Sequence, residues 1–202
     1  MSLKYVLKPA LTLFLTSAVV ITALSVANNL TTEPIERQKR KTQEAAMREV
    51  LPASEYRELK VEKTGSIVAV YEGRQSETDG NQLAGYVIQL SPEGYSGNID
   101  LLTGISVPDE KISGMRVLRH SETPGLGALA VKENFYQRYD NRDLIPLGVA
   151  RSSPGENDIA AITSATITTR AITNAVNEAI EWYLTTARQG LVFNQTDGDG
   201  GR

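Results

Sequence analysis

Four short runs decide the fold: Ser66-Ile67-Val68-Ala69-Val70-Tyr71, Gly85-Tyr86-Val87-Ile88-Gln89-Leu90, Asn98-Ile99-Asp100-Leu101-Leu102-Thr103-Gly104-Ile105 and Ile112-Ser113-Gly114-Met115-Arg116-Val117-Leu118. They are apolar or alternating, and Gly80-Asn81, Ser91-Pro92-Glu93-Gly94 and Pro108-Asp109 punctuate them. Such segments bounded by turn-forming residues predict strands. The connections are too short to hold crossover helices, so the sheet is expected to be antiparallel.

Downstream, a short helical stretch is expected around Ala130–Tyr139 and a further strand over Leu144–Val149. The strongest helical signal is Thr168–Ala187, where Ile172, Val176, Ala179, Ile180, Tyr183 and Leu184 recur at three- and four-residue spacing and Gly190 is placed to stop the helix. One face of that helix should cover the sheet. Residues 191–202, rich in Gly and Asp, read as a flexible tail.

Upstream, Pro9–Leu30 carries no charged residue and is rich in Leu, Val, Ile and Ala, a run of about twenty residues that matches one bilayer crossing. A cleaved secretory signal is the alternative, because Lys4 and Lys8 make a basic start and Ser25-Val26-Ala27 resembles a cleavage site. The apolar run is longer than the usual ~7–15-residue signal core, which favours the anchor. Lys4 and Lys8 precede it and Arg37, Lys39, Arg40 and Lys41 follow it, so the charge rule does not fix its orientation. Ile35–Val50 is made of strong helix formers. It reads either as a solvated stalk or as a helix covering the domain with Ala45, Ala46, Val50 and Leu51. The expected class is therefore α+β, with one N-terminal transmembrane helix and a domain of largely antiparallel sheet and packing helices. The expected divisions are 1–34 anchor, 35–65 helical stalk or linker, 66–190 domain and 191–202 tail.

Composition removes several functions. The 202 residues suit one modest domain plus an extension. With 21 Lys+Arg against 24 Asp+Glu the net charge is −3, which gives no electrostatic basis for binding nucleic acid. The absence of cysteine excludes disulfides, thiolate nucleophiles and Cys-ligated metals, and one histidine leaves no His-rich metal site. No metal site is expected, and redox chemistry would need a borrowed cofactor.

Two motifs carry candidate chemistry. Thr163-Ser164-Ala165-Thr166-Ile167-Thr168-Thr169 precedes and opens the last helix. One of its hydroxyls is expected to cap the helix. Five hydroxyls exceed that need, and a helix N-terminus also favours a phosphate group. The second motif is His120-Ser121-Glu122-Thr123-Pro124-Gly125-Leu126-Gly127. Pro124 fixes a backbone angle, and Gly125 and Gly127 permit a close approach to a ligand. Glu122 and Thr123 offer an acceptor and a donor; the plainer reading is a connecting loop with Glu122 as a surface charge. His120 is a candidate proton donor or a residue that merely bonds the loop. Tyr95, in Gly94-Tyr95-Ser96-Gly97, is a candidate ring-stacking residue or an ordinary core or turn tyrosine.

On these residues the chain resembles the FMN-binding domain shared by the G subunit of the Rnf complex and the C subunit of the sodium-pumping NADH:quinone oxidoreductase, over roughly Leu83–Tyr183. The family's flavinylation signature, Asp-x-x-(Ser/Thr)-(Gly/Ser)-Ala-Thr, falls on Ala160–Thr166. Ala160 stands where an acidic residue is often found, with Asp158 two residues earlier, and Ser164 where glycine is more usual. The chain's length suits the Rnf protein.

The resemblance implies FMN esterified through its phosphate to Thr166 by a separate flavin transferase, with Thr163, Ser164, Ala165, Glu122, Thr123, Gly125, Leu126, Gly127 and Tyr95 around it. It implies a subunit relaying electrons in a membrane complex that couples ferredoxin and NAD chemistry to ion movement. Its partners would be the other subunits and the bilayer, and its domain would lie on the extracytoplasmic side. No residue is expected to act catalytically on a substrate. The chain has neither a G-x-G-x-x-G fingerprint nor a charge within Pro9–Leu30, so NAD binding and the ion path fall to partners. The competing readings are a membrane-tethered sensor or assembly module that lacks flavin, and a free-standing flavin reductase.

Overall fold

The computed structural model describes residues 4–62, 64–76 and 81–190; the tail read at 191–202 lies outside them. The chain divides after Gln43 into two units. Helix α1 is assigned without interruption over Lys4–Val50, across Pro34, where the sequence changes composition. Its Pro9–Val26 window has a mean hydropathy of 2.0 with no part buried, and is long and apolar enough to cross a membrane.

In the second unit the strands run β1 Glu55–Leu59, β2 Ile67–Arg74, β3 Leu83–Leu90, β4 Asp100–Ser106, β5 Lys111–Arg119 and, beyond a short α2 at Glu133–Tyr136, β6 Arg142–Asp143. They form a six-stranded antiparallel meander in sequence order. The four expected strands are present to within a few residues, and the α+β class holds.

Alternation divides the sheet residues between two apolar layers. Tyr86, Ile88, Leu101, Ile105, Ile112 and Met115 join the main core, which is closed by α3, Thr166–Trp182. Ile172, Val176, Ala179 and Ile180 form the buried stripe of that helix, as their spacing predicts. Full burial of each isoleucine or valine side chain there stabilises by about 1.5–3 kcal/mol. The Trp182 ring meets Tyr86 edge-on at 5.6 Å. The helix begins two residues before the expected Thr168, and its last turn widens into a π turn over Tyr183–Ala187.

On the opposite face Val87 and Leu102 pack with Met47, Val50 and Leu51, so the end of α1 covers the sheet; Ala45 is exposed. Gly104 and Gly114 are register partners there and form a notch for Val50. A side chain at Gly104 would come within 2.3 Å of the Val50 carbonyl oxygen. Ser113 Oγ donates to that same carbonyl.

Polar side chains fasten α3 along its length. Glu178 accepts from the Ser66 amide and hydroxyl at 2.6 and 2.7 Å. Asn177 accepts from Leu147 N–H at 2.8 Å and donates to its carbonyl at 2.9 Å.

Two short strands depart from the meander: β7, Gly148–Ala150, pairs in parallel with β8, Asp158–Ala160. The strand expected over Leu144–Val149 is thus shorter and shifted. Three-residue strands can run parallel through a plain loop, because Asp158 holds it: its Oδ2 accepts from Gly155 N–H at 2.9 Å, and Asp158 N–H donates to the Gly155 carbonyl at 3.1 Å. The helical stretch expected at Ala130–Tyr139 is broken into a 3-10 turn at Gly127–Val131, α2, and a second 3-10 turn at Gln137–Tyr139.

Candidate functional site

At the head of α3 the chain turns sharply. Ser164 adopts the left-handed region, φ 62°, a conformation that favours glycine. Ala165 is the N-cap, and no side chain caps the helix. The expectation that a hydroxyl caps it is therefore corrected: the turn at Ser164 leaves a methyl side chain at the capping position.

The neighbouring hydroxyls are occupied elsewhere. Thr169 Oγ1 accepts from Ile162 N–H at 3.0 Å and donates to the Ala165 carbonyl at 3.1 Å. Thr168 Oγ1 donates to Glu122 Oε2 at 2.7 Å. Ser164→Gly should be neutral or stabilising, whereas the β-branched Ser164→Val should cost about 1–3 kcal/mol in thermal unfolding. Equal midpoints for all three chains would contradict the strain.

The uncapped helix end opens on a cavity of about 620 Å³. Of the residues singled out in the sequence, Thr163, Ser164, Ala165 and Thr166 line it together with Glu122, Thr123, Leu126, Gly127 and Tyr95. Gly125 does not line it and instead makes the exposed turn of the loop at φ 78°. His120 stands back as well: its Nδ1 accepts from Glu122 N–H at 3.2 Å. The Tyr95 ring is 69% exposed, so it is not a core tyrosine. Sequence reasoning did not single out Arg151, Ala161, Ile162, Ile167 or Thr168 as part of this wall. Arg151 lies in a loop with no motif, although its charge beside a hydroxyl-rich turn is a usable signal.

Glu122 is not a surface charge; it is 5% exposed. Its Oε1 accepts from the amides of Tyr95 and Ser96 at 2.7 and 2.9 Å, and Oε2 is bonded to Thr168. Gly94 and Gly127 leave room for it, since a side chain at either would come within 2.5 or 2.2 Å of a carboxylate oxygen. Burial pushes its pKa up, but the bonds from Ser96, Thr168 and Tyr95 and the nearby His120 outweigh it and hold the group below its ordinary 4.5. The sign follows: the unfolded chain takes up the proton first, so this contribution is full above the ordinary value and is lost as pH falls through the lowered folded one. The thermal midpoint of the natural chain minus that of Glu122→Gln should be flat at neutral pH and narrow on acidification. A gap that widens in acid would refute this.

An α+β domain with a cofactor-sized cavity at a helix N-terminus has the form of a small-molecule-binding domain, and residues 94–181 match the FMN-binding domain family. The chain is 34% identical over 197 residues to the G subunit of the Na(+)-translocating ferredoxin:NAD(+) oxidoreductase complex of Acetobacterium woodii, with 89% of this chain and 92% of that protein covered. It is 32% identical over 185 residues to the G subunit of the ion-translocating oxidoreductase complex of Methanosarcina acetivorans, covering 89% and 95%. NqrC of Shewanella oneidensis, a solved structure, aligns with a TM-score of 0.49 at 20% identity over 63% of this chain and 59% of that one. The chain belongs to the G-subunit family of ion-translocating oxidoreductase complexes, the Rnf family that its motifs resemble.

Proposed function

We propose that this chain is a membrane-anchored flavoprotein subunit that holds FMN by a phosphoester to Thr166 and relays electrons in a complex coupling ferredoxin and NAD chemistry to ion translocation. The observation that carries the reading is the head of α3: a helix without a side-chain cap, beginning at Thr166, open to a cavity of about 620 Å³. That volume is in the range of small-molecule sites. The G-subunit relatives and the FMN-binding match supply the class of cofactor and of complex.

The residues present fit the group. Amides of the first helical turn and the Arg151 guanidinium suit a phosphate. Leu126 and Ile167, both exposed, and the Tyr95 ring suit a flat apolar ring system. Thr163, Ser164, Ala165, Thr123 and Gly127 complete the walls. FMN supplies the electron-carrying chemistry when bound, and the protein supplies position and electrostatics. A covalent tail keeps the carrier with its complex. The maturing partner is a flavin transferase, and the other subunits provide NAD binding and the ion path. The apolar window of α1 anchors the chain in the bilayer, and the domain, which takes in the end of α1 and β1 as well as 66–190, faces the extracytoplasmic side.

The chain co-expressed with a flavin transferase should carry an FMN-sized mass that survives denaturation. No adduct, while a control substrate is modified in the same cells, would overturn the reading in favour of a flavin-free tether. A reporter fused after Gly190 should be active only outside the cytoplasm, and strong cytoplasmic activity would reverse the sidedness.

A further inference from the structure

Both oxygens of Glu122 are taken up inside the protein, one by two backbone amides and one by a hydroxyl. The three donors come from segments far apart in sequence. Tyr95 and Ser96 lie in the turn between β3 and β4, and Thr168 lies in the first turn of α3. The carboxylate itself comes from the loop after β5. With a residue this buried, each bond to the charged group is stronger than a neutral one, and each donor is costly to leave unpaired.

We infer that Glu122 is a positioning residue: its carboxylate clamps the Tyr95–Ser96 turn to the first turn of α3, so that Tyr95 and Thr166 face one cavity in a fixed relation. This rests on Thr166 being the attachment residue. Glu122 acts on the flavin through Tyr95 and the helix rather than by contact. The glycines support this, because Gly94 and Gly127 lie against the carboxylate where any side chain would expel it.

Three variants separate the clamp from general stability. In Glu122→Gln the amide oxygen accepts from Tyr95 and Ser96 and the amide nitrogen donates to Thr168 Oγ1, so the geometry survives without the charge. This chain should keep slow amide exchange at Tyr95 and Ser96 and an adduct yield near that of the natural chain. Glu122→Ala should lose protection at both amides and lower the yield about tenfold or more, as displacement of a reacting group by an ångström does. Thr168→Val cuts only the link to α3: protection at Tyr95 and Ser96 should persist while the yield falls at least about threefold.

Unchanged exchange and yield in Glu122→Ala would overturn the inference, as would a Glu122→Gln chain that behaves like the alanine variant. If Glu122→Ala does not fold, Thr168→Val decides, and an unchanged yield there overturns the clamp. Amide exchange needs no flavin, so a natural chain that carries no adduct would defeat the proposed function while the clamp remains measurable.

Discussion

Thr166→Ala should emerge from co-expression with a flavin transferase without covalent flavin and with its fold intact. Thr166 is the first residue of α3, half-buried, and lines the cavity. Its hydroxyl is bonded to no described group, in contrast to Thr168, Thr169 and Thr173, whose hydroxyls donate to Glu122, Ala165 and Thr169. The occupied hydroxyls are buried and hold the turn; Thr166 is left available to a reaction. Alanine is also the better helix former, so stability should change by less than about 1 kcal/mol. Intact mass under denaturing conditions checks the adduct, and thermal unfolding checks the fold. Thr166→Ser should retain modification. An alanine variant that still carries flavin would move the attachment to Thr163 or Ser164, the remaining exposed hydroxyls of the run.

The second large effect is expected far from that cavity. Gly104→Val should destabilise the domain by about 3 kcal/mol, which lowers the thermal midpoint by roughly 6–12 °C in a chain of this size. The new side chain would occupy the space of the Val50 carbonyl and of Ser113 Oγ, which lie 2.3 and 2.5 Å from the site of its first carbon. Backbone on one side and a neighbouring strand on the other leave it no room. The only relief is to lift the end of α1, which uncovers Met47, Leu51, Val87 and Leu102. Gly114→Ala, with Val50 Cα at 3.2 Å, should cost less. Equal midpoints for Gly104→Val and the natural chain would show that the helix end does not depend on the notch.

The strands that were legible are those whose apolar residues alternate or run together between turn signals. β1 was not: Glu55-Tyr56-Arg57-Glu58-Leu59 is mostly charged, and it is an edge strand with only Leu59 buried. Edge strands carry charge because one side of the ladder faces water, so the hydrophobic pattern has little to report there. Both chemical motifs were legible as motifs, and both border the cavity. Their internal wiring was not. That Glu122 bonds residues 26 to 46 positions away is a property of the packed fold, and no local spacing encodes it. The missing cap at α3 had the same origin, since Ser164 turns left-handed and Ala165 takes the capping position.

The order of the sheet bears on how the molecule is made. Each strand pairs with its neighbour in sequence, so the meander can form progressively from hairpins, with short loops to close. The cavity is different: its walls come from Tyr95, the loop at 122–127, Arg151, the turn at 161–165 and the head of α3, which follows every strand in sequence. The pocket is therefore completed only after every strand has been made and α3 has docked. A covalent mark added there would report a finished fold, and a stalled or truncated chain would leave the ribosome with its sheet formed and nothing to modify.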